Sequence, residues 1–191
     1  MLSEKQFQID KIDIQIISGD ITELKVDAIV NAAKPSLMGG GGVDGVIHEK
    51  AGDELFLACE KIHNEQGKCD PGNAVITTAG KLPCNHVIHT VGPVWEDGDQ
   101  GESRTLSQCY TSSLDLCVKH GIKTVAFPNI SCGVYGFPKR GAARIALRTV
   151  LQHEKIEQLD NVIFVCYEEV NYRHYIEIYN EILHYYSFLN N

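Results

Sequence analysis

The apolar positions of the chain change period several times, and each change marks an element. In "IDIQIISGD" Ile12, Ile14 and Ile16 alternate with polar residues, the period of a half-exposed strand, and "VDAIVNAA" follows as a more continuous apolar strand. From Val43 the spacing turns helical. Val43, Val46, Ile47, Ala51, Leu55, Ala58 and Ile62 fall near one face, with Gly67 as the expected stop. "NAVITTAG" and "HVIHTVG" predict two strands separated by a turn around Pro83 and Asn85. Leu106, Cys109, Tyr110, Leu114, Cys117 and Val118 then form a second helical stripe, closed by Gly121. "KTVAFPNI" reads as a short buried strand, "RGAARIALRTVLQHEKI" as a third helix, "NVIFVCYE" as another strand and "YRHYIEIYNEILHYYSFL" as a tyrosine-rich closing helix. Strands and helices alternate from Leu106 onward, which predicts a mainly parallel sheet with helices on both faces.

In such a sheet, ligands collect beyond the carboxyl ends of the strands, where the connecting loops diverge. Two segments suit that place. "SLMGGGGVDG" joins the strand "VDAIVNAA" to the first helix, and "NISCGVYGFP" joins "KTVAFPNI" to the third. Their glycines admit a ligand close to backbone N–H groups. Gly40, Gly42 and Gly45 satisfy GxGxxG, the fingerprint of nicotinamide-binding folds. The context fits that reading badly: the loop follows the second strand, and Asp44 lies inside the would-be phosphate loop. A carboxylate beside a pyrophosphate is repelled, so Asp44 is expected to point past the phosphates toward a sugar or a water.

Composition narrows the picture further. The length of 191 residues, with no internal repeat or linker, predicts one domain spanning 1–191. A net charge of −8 and the lack of any Lys/Arg cluster argue against a nucleic-acid partner, and no apolar run approaches the ~20 residues of a membrane span. The start lacks a basic segment followed by an apolar one, so no signal peptide is expected and the cytoplasm is the predicted location. Seven cysteines, an odd number without a CxxC pair, are expected to be reduced and buried. Cys84, His86 and His89 have a spacing that zinc could use, but they lie on or beside a strand and read as structural. "EDGDQGESRT", Glu96 to Thr105, reads as a solvated surface loop.

Five segments then stand in a familiar order: "GDIT" (Gly19 to Thr22), "VDAIVNAA", "GGGGVDG", "HTVGP" (His89 to Pro93) and "SCGVYGFP" (Ser131 to Pro138). The chain resembles the macrodomains, and within them the MacroD-type subgroup of O-acetyl-ADP-ribose deacetylases and ADP-ribosylhydrolases. The resemblance implies a three-layer α/β/α fold with a mixed, mainly parallel central sheet that binds ADP-ribose, without cofactor or metal. It implies acylated ADP-ribose and mono-ADP-ribosylated proteins as partners. Asp20 resembles the aspartate that accepts from the adenine amino group, with the Ile21 backbone beside it. Asn31, Gly41, Gly42 and Val43 on one side, and Ser131, Cys132, Gly133, Val134 and Tyr135 on the other, resemble the loops around the diphosphate and distal ribose. Phe137 is expected near the distal ribose and Tyr167 against the adenine, although both also suit a core. A nucleophilic Cys132 would need a base partner, and none lies nearby in sequence.

The resemblance assigns to Asp44 the activation of a water that cleaves an acyl ester of the distal ribose. It acts either as general base or as the group positioning a water that the substrate's phosphate helps activate. One residue departs from the pattern. The subgroup has an asparagine where this chain has Lys34, six residues ahead of Gly-Gly-Val-Asp. An amide donates and accepts, whereas an ammonium only donates and carries a charge on a longer stem. Lys34 could reach Asp44 and depress its pKa, reach the diphosphate, or remain in solvent. In the first two cases turnover falls, and a non-catalytic ADP-ribose reader becomes the alternative.

Overall fold

The computed structural model describes residues 4–9 and 12–189, with side chains from 12 to 185. Among these, seven strands form one sheet: β1 (Glu4–Ile9), β2 (Ile12–Ser18), β3 (Ala28–Ala32), β4 (Ala74–Thr78), β5 (His86–Thr90), β6 (Thr124–Phe127) and β7 (Asn161–Cys166). Their spatial order is β1-β2-β7-β6-β3-β5-β4. The inner five run parallel, while β1 and β4 pair antiparallel at the two edges. The sheet is therefore mixed and mainly parallel, as expected. β1 has no counterpart in the sequence reading.

Helices α1 (Gly42–Ala51) and α2 (Asp53–Gln66) cover one face. Helices α3 (Glu102–His120), α4 (Lys139–Leu151) and α5 (Glu169–Leu189) cover the other. On the α3/α4/α5 face a run of rings, Tyr110, Phe127, Phe164 and Tyr175, crosses the core with successive centroids 5.2, 6.1 and 5.1 Å apart. On the other face Ile29, Val87, Ala126 and Val165 of the sheet meet Ile47, Ala51, Leu55 and Cys59. Continuous burial on both faces explains why the central strands read as apolar runs rather than as alternations.

Two expectations are corrected here. The helix predicted from Val43 to Gly67 is two helices. Gly52, at φ +77°, ends α1 with its N–H on the His48 carbonyl and precedes the first residue of α2. A left-handed backbone breaks the helix at low cost only at glycine. The segment from Glu96 is also more than a solvated loop. Glu102 opens α3 with a buried carboxylate that accepts from the backbone N–H groups of Glu96, Gly98 and Gln100 at 3.2, 3.0 and 2.8 Å. These bonds, together with the one from its own N–H, hold the carboxyl down at about 2.

The strand order fixes where loops meet. β3 and β6 are neighbours, but the chain leaves β3 for α1 on one face and leaves β6 for α4 on the other. A crevice opens between the two departing loops. One strand beyond β6, β7 pairs with β2 so that Ser18 lies opposite Cys166, and Asp20 and Tyr167 follow at the same rim.

Candidate functional site

The crevice holds a cleft of about 250 Å³. One wall is the stretch Gly41, Gly42 and Val43, and the other is Ser131, Gly133, Val134 and Tyr135, with Asp44 and Lys34 also lining the cleft. The first wall is the N-terminal turn of α1. Gly41 is its cap residue without a side-chain cap bond, which leaves backbone N–H groups turned toward the cleft, the arrangement that favours an anion. The second wall is ordered from within: the Phe137 N–H donates to the Ser131 carbonyl at 2.9 Å, and the Tyr135 carbonyl accepts from the Trp95 N–H at 2.8 Å. Ser131 takes φ 62°, a conformation a non-glycine residue adopts only where its surroundings impose it. Val134 is 99% exposed at the crest of that loop.

Asp44 is buried at the floor between the walls. Its Oδ1 accepts from Asn31 Nδ2 at 2.7 Å and lies 3.5 Å from His48 Nε2, while its Oδ2 has no hydrogen-bond partner in the protein. Burial pushes this carboxyl above its ordinary range, against the Asn31 bond and the attraction of His48 and Lys34. Lys34 is exposed at its base and bends over Gly40. Its Nζ and Asp44 Oδ2 lie 3.1 and 3.0 Å from the point where a Cβ on Gly40 would stand. Among the described residues the two form no direct ion pair, and burial outweighs the lysine's pull on the aspartate.

Asn31, expected to face the ligand, is 0% exposed. On β3 it shares the face of Ile29, beneath α1 and α2, and so lies under the cleft floor with its amide on Asp44 and His89. Phe137 is likewise buried, packed edge-on against Trp95 with centroids 4.7 Å apart, so it supports the second wall from behind. Cys132 is buried too, and burial raises its thiol to about 12, which makes it a poor nucleophile. Asp20 caps the short 3₁₀ turn Ile21–Glu23 through the Thr22 N–H at 2.9 Å, and Lys50 holds its other oxygen at 2.9 Å. Tyr167 is 86% exposed on the β7 side of the crevice.

His89, expected to be structural, lies directly beneath the site. It is fully buried beside Asn31, Thr77 and Cys59, and burial first, then the charge of His48, holds it at about 3. His48, Cys59 and His89 bring potential metal-ligating atoms within 4.8 Å of one another. His89 Nε2 is already engaged by Thr77 Oγ1 at 2.9 Å, and burial keeps the Cys59 thiol protonated, raised to about 12. Two of the three groups are thus engaged or protonated, while His48 Nε2 is buried without a hydrogen-bond partner. The cluster's signal in the sequence was a polar "NAA" and "HTV" at the ends of two apolar strands, Asn31 and His89 standing directly opposite each other in the register.

The macro domain family model matches residues 30–146, which contain both walls and Asp44. The chain is a macrodomain. Over 174 residues the macrodomain is 53% identical to an O-acetyl-ADP-ribose deacetylase of Escherichia fergusonii, covering 89% of this chain and 94% of the relative. A macro domain-containing protein of Listeria monocytogenes is 47% identical across 90% of this chain and 97% of its own length. Among solved structures, the Oceanobacillus iheyensis macrodomain with ADP superposes with a TM-score of 0.91 at 36% identity, over 96% of this chain and 98% of that one. The Trypanosoma brucei macrodomain in complex with ADP-ribose gives 0.75 at 39% identity, over 85% and 67%.

Proposed function

We propose that this macrodomain binds ADP-ribose and hydrolyses acyl esters of its distal ribose. The observation that carries the reading is Asp44, whose carboxylate is anchored through one oxygen at the floor of a cleft walled by backbone N–H groups. The diphosphate lies between the first turn of α1 and the Ser131–Tyr135 loop, and the adenine extends along the rim toward Asp20, Ile21 and Tyr167. The distal ribose then rests above Asp44. Asp44 Oδ2 takes a proton from a water, whose oxygen attacks the acyl carbon. The bond from that carbon to the ribose oxygen breaks, the ribose oxygen takes a proton, and acetate leaves. The ester joining ribose to an Asp or Glu side chain is the same bond, so mono-ADP-ribosylated proteins are the second substrate class. The deacetylase name of relatives half identical over most of the chain supports the activity. Seven buried free thiols suit a reducing compartment, and we assign the protein to the cytoplasm.

Lys34 favours a second reading, a reader with little turnover. Its ammonium and the oxygen that must take the proton both border Gly40, and the lysine replaces an amide that would have both donated and accepted. Acetate release from O-acetyl-ADP-ribose separates the two. Lys34→Asn is expected to raise kcat about tenfold, ~1.4 kcal/mol of barrier, and Asp44→Asn to lower it by about 100-fold or more, both with ADP-ribose binding retained by calorimetry. Wild-type and Lys34→Asn proteins that bind ADP-ribose and release no acetate would establish the reader instead.

A further inference from the structure

We infer that Thr77 and His89 are positioning residues for Asp44: they complete a four-member hydrogen-bond chain that holds Oδ1 of the carboxylate and leaves Oδ2 without a protein partner. The inference rests on the hydrolytic reading above. The chain runs across three neighbouring strands, β4, β5 and β3, to the first turn of α1. Its geometry leaves each proton one place to go. Asn31 stands 2.7 Å from Asp44 Oδ1, so its nitrogen, rather than its oxygen, must face the carboxylate. The same nitrogen is 3.1 Å from His89 Nδ1. With one N–H given to Asp44 and the other to His89, Nδ1 is an acceptor, and the imidazole proton resides on Nε2. There it meets Thr77 Oγ1 at 2.9 Å, and the threonine hydroxyl passes its own proton to the Val87 carbonyl at 3.4 Å.

The direction matters because it can be reversed. If the proton moved to Nδ1, the Asn31 amide would have to turn over to accept it, placing its oxygen against Asp44 Oδ1. Two acceptors at that distance repel, and the carboxylate would swing away or take up a proton. Thr77 opposes this: with its own proton on the Val87 carbonyl its hydroxyl presents a lone pair to Nε2, where among the described residues the other hydrogen-bond neighbour is the Cys59 thiol at 3.6 Å. The charged and titratable groups around Asp44 are His48 on α1, Lys34 across Gly40, His89 on β5 and Cys59 on α2. Thr77 touches none of them except His89 and lies outside the cleft.

The test pairs Thr77→Val, which keeps the shape and loses the acceptor, with Thr77→Ser, which keeps the hydroxyl. Imidazole ¹⁵N spectra of the wild type should show His89 with a protonated Nε2 and a bare Nδ1 from pH 5 to 8, and Thr77→Val should shift the proton toward Nδ1. The Asp44 carboxyl, followed by ¹³C, should titrate at higher pH in Thr77→Val and as wild type in Thr77→Ser. In acetate release, kcat should fall about tenfold in Thr77→Val with its acid limb moved to higher pH, KM and ADP-ribose affinity unchanged, and Thr77→Ser should recover most of the loss. A wild-type His89 protonated on Nδ1, or valine and serine variants with the same Asp44 titration, overturns the inference. An inactive wild type would defeat the hydrolytic reading alone, because the spectra report the chain of protons without turnover.

Discussion

The carboxyl of Asp44 sits where burial works against its charge. Folding raises its proton affinity, so above its ordinary value of 3.8 the ionised group subtracts stability, and below that value the cost disappears. Asp44→Asn removes the charge and keeps an oxygen for the Asn31 N–H. It is therefore expected to raise Tm at pH 7 and leave it nearly unchanged at pH 3, while turnover is lost. Scanning calorimetry decides this, and a lower Tm at pH 7 would contradict it. The place of Asp44 and Lys34 beside the glycine loop was legible in the sequence, where the resemblance to macrodomains marks both positions. The burial of Asn31 beneath Asp44 was not legible. The alternation of β3 puts it on the face of Ile29, under α1, but a motif quoted as letters does not say which face a strand residue takes.

The first helix of the cleft depends on where a glycine meets another backbone. A Cβ on Gly45 would stand 2.6 Å from the Gly40 carbonyl oxygen, so the first turn of α1 and the glycine loop pack with nothing between them. Gly45→Ala should push that loop out of register, weakening ADP-ribose binding by about tenfold and costing ~1–3 kcal/mol of stability, read by calorimetry and urea unfolding. Unchanged binding would mean the loop tolerates the shift. Periodicity concealed the break at Gly52, because Ala51 and Leu55 bury against the same face on either side of it. It concealed the role of Glu102 for another reason. An acidic, glycine-bearing segment looks solvated until the carboxylate is seen to gather the loop's N–H groups, a pairing of local geometry that composition does not carry.

The protein as a whole should be an acid-sensitive fold. His89 is held at about 3 by burial, far below its ordinary 6.5, so between those values an unfolded chain binds a proton that the folded one refuses. Stability from this source is complete above pH 6.5 and declines as pH falls toward 3. The urea midpoint should therefore drop between pH 7 and pH 5, and the drop should shrink in His89→Gln. An equal drop in that variant would place the sensitivity elsewhere. The mainly parallel sheet and the helices on both faces were readable from the apolar period, since burial on both faces writes itself as continuous apolar strands, and the two loops from their glycines. The edge strand β1 was not, because its apolar positions are few and its partner β2 supplies the pairing.

The neighbouring strands β3 and β6, whose chains depart toward opposite faces, make the crevice a property of how the backbone is threaded rather than of any side chain. Substitutions at Lys34 or Asp44 are therefore expected to leave the hollow standing, since its shape is written in the path of the main chain.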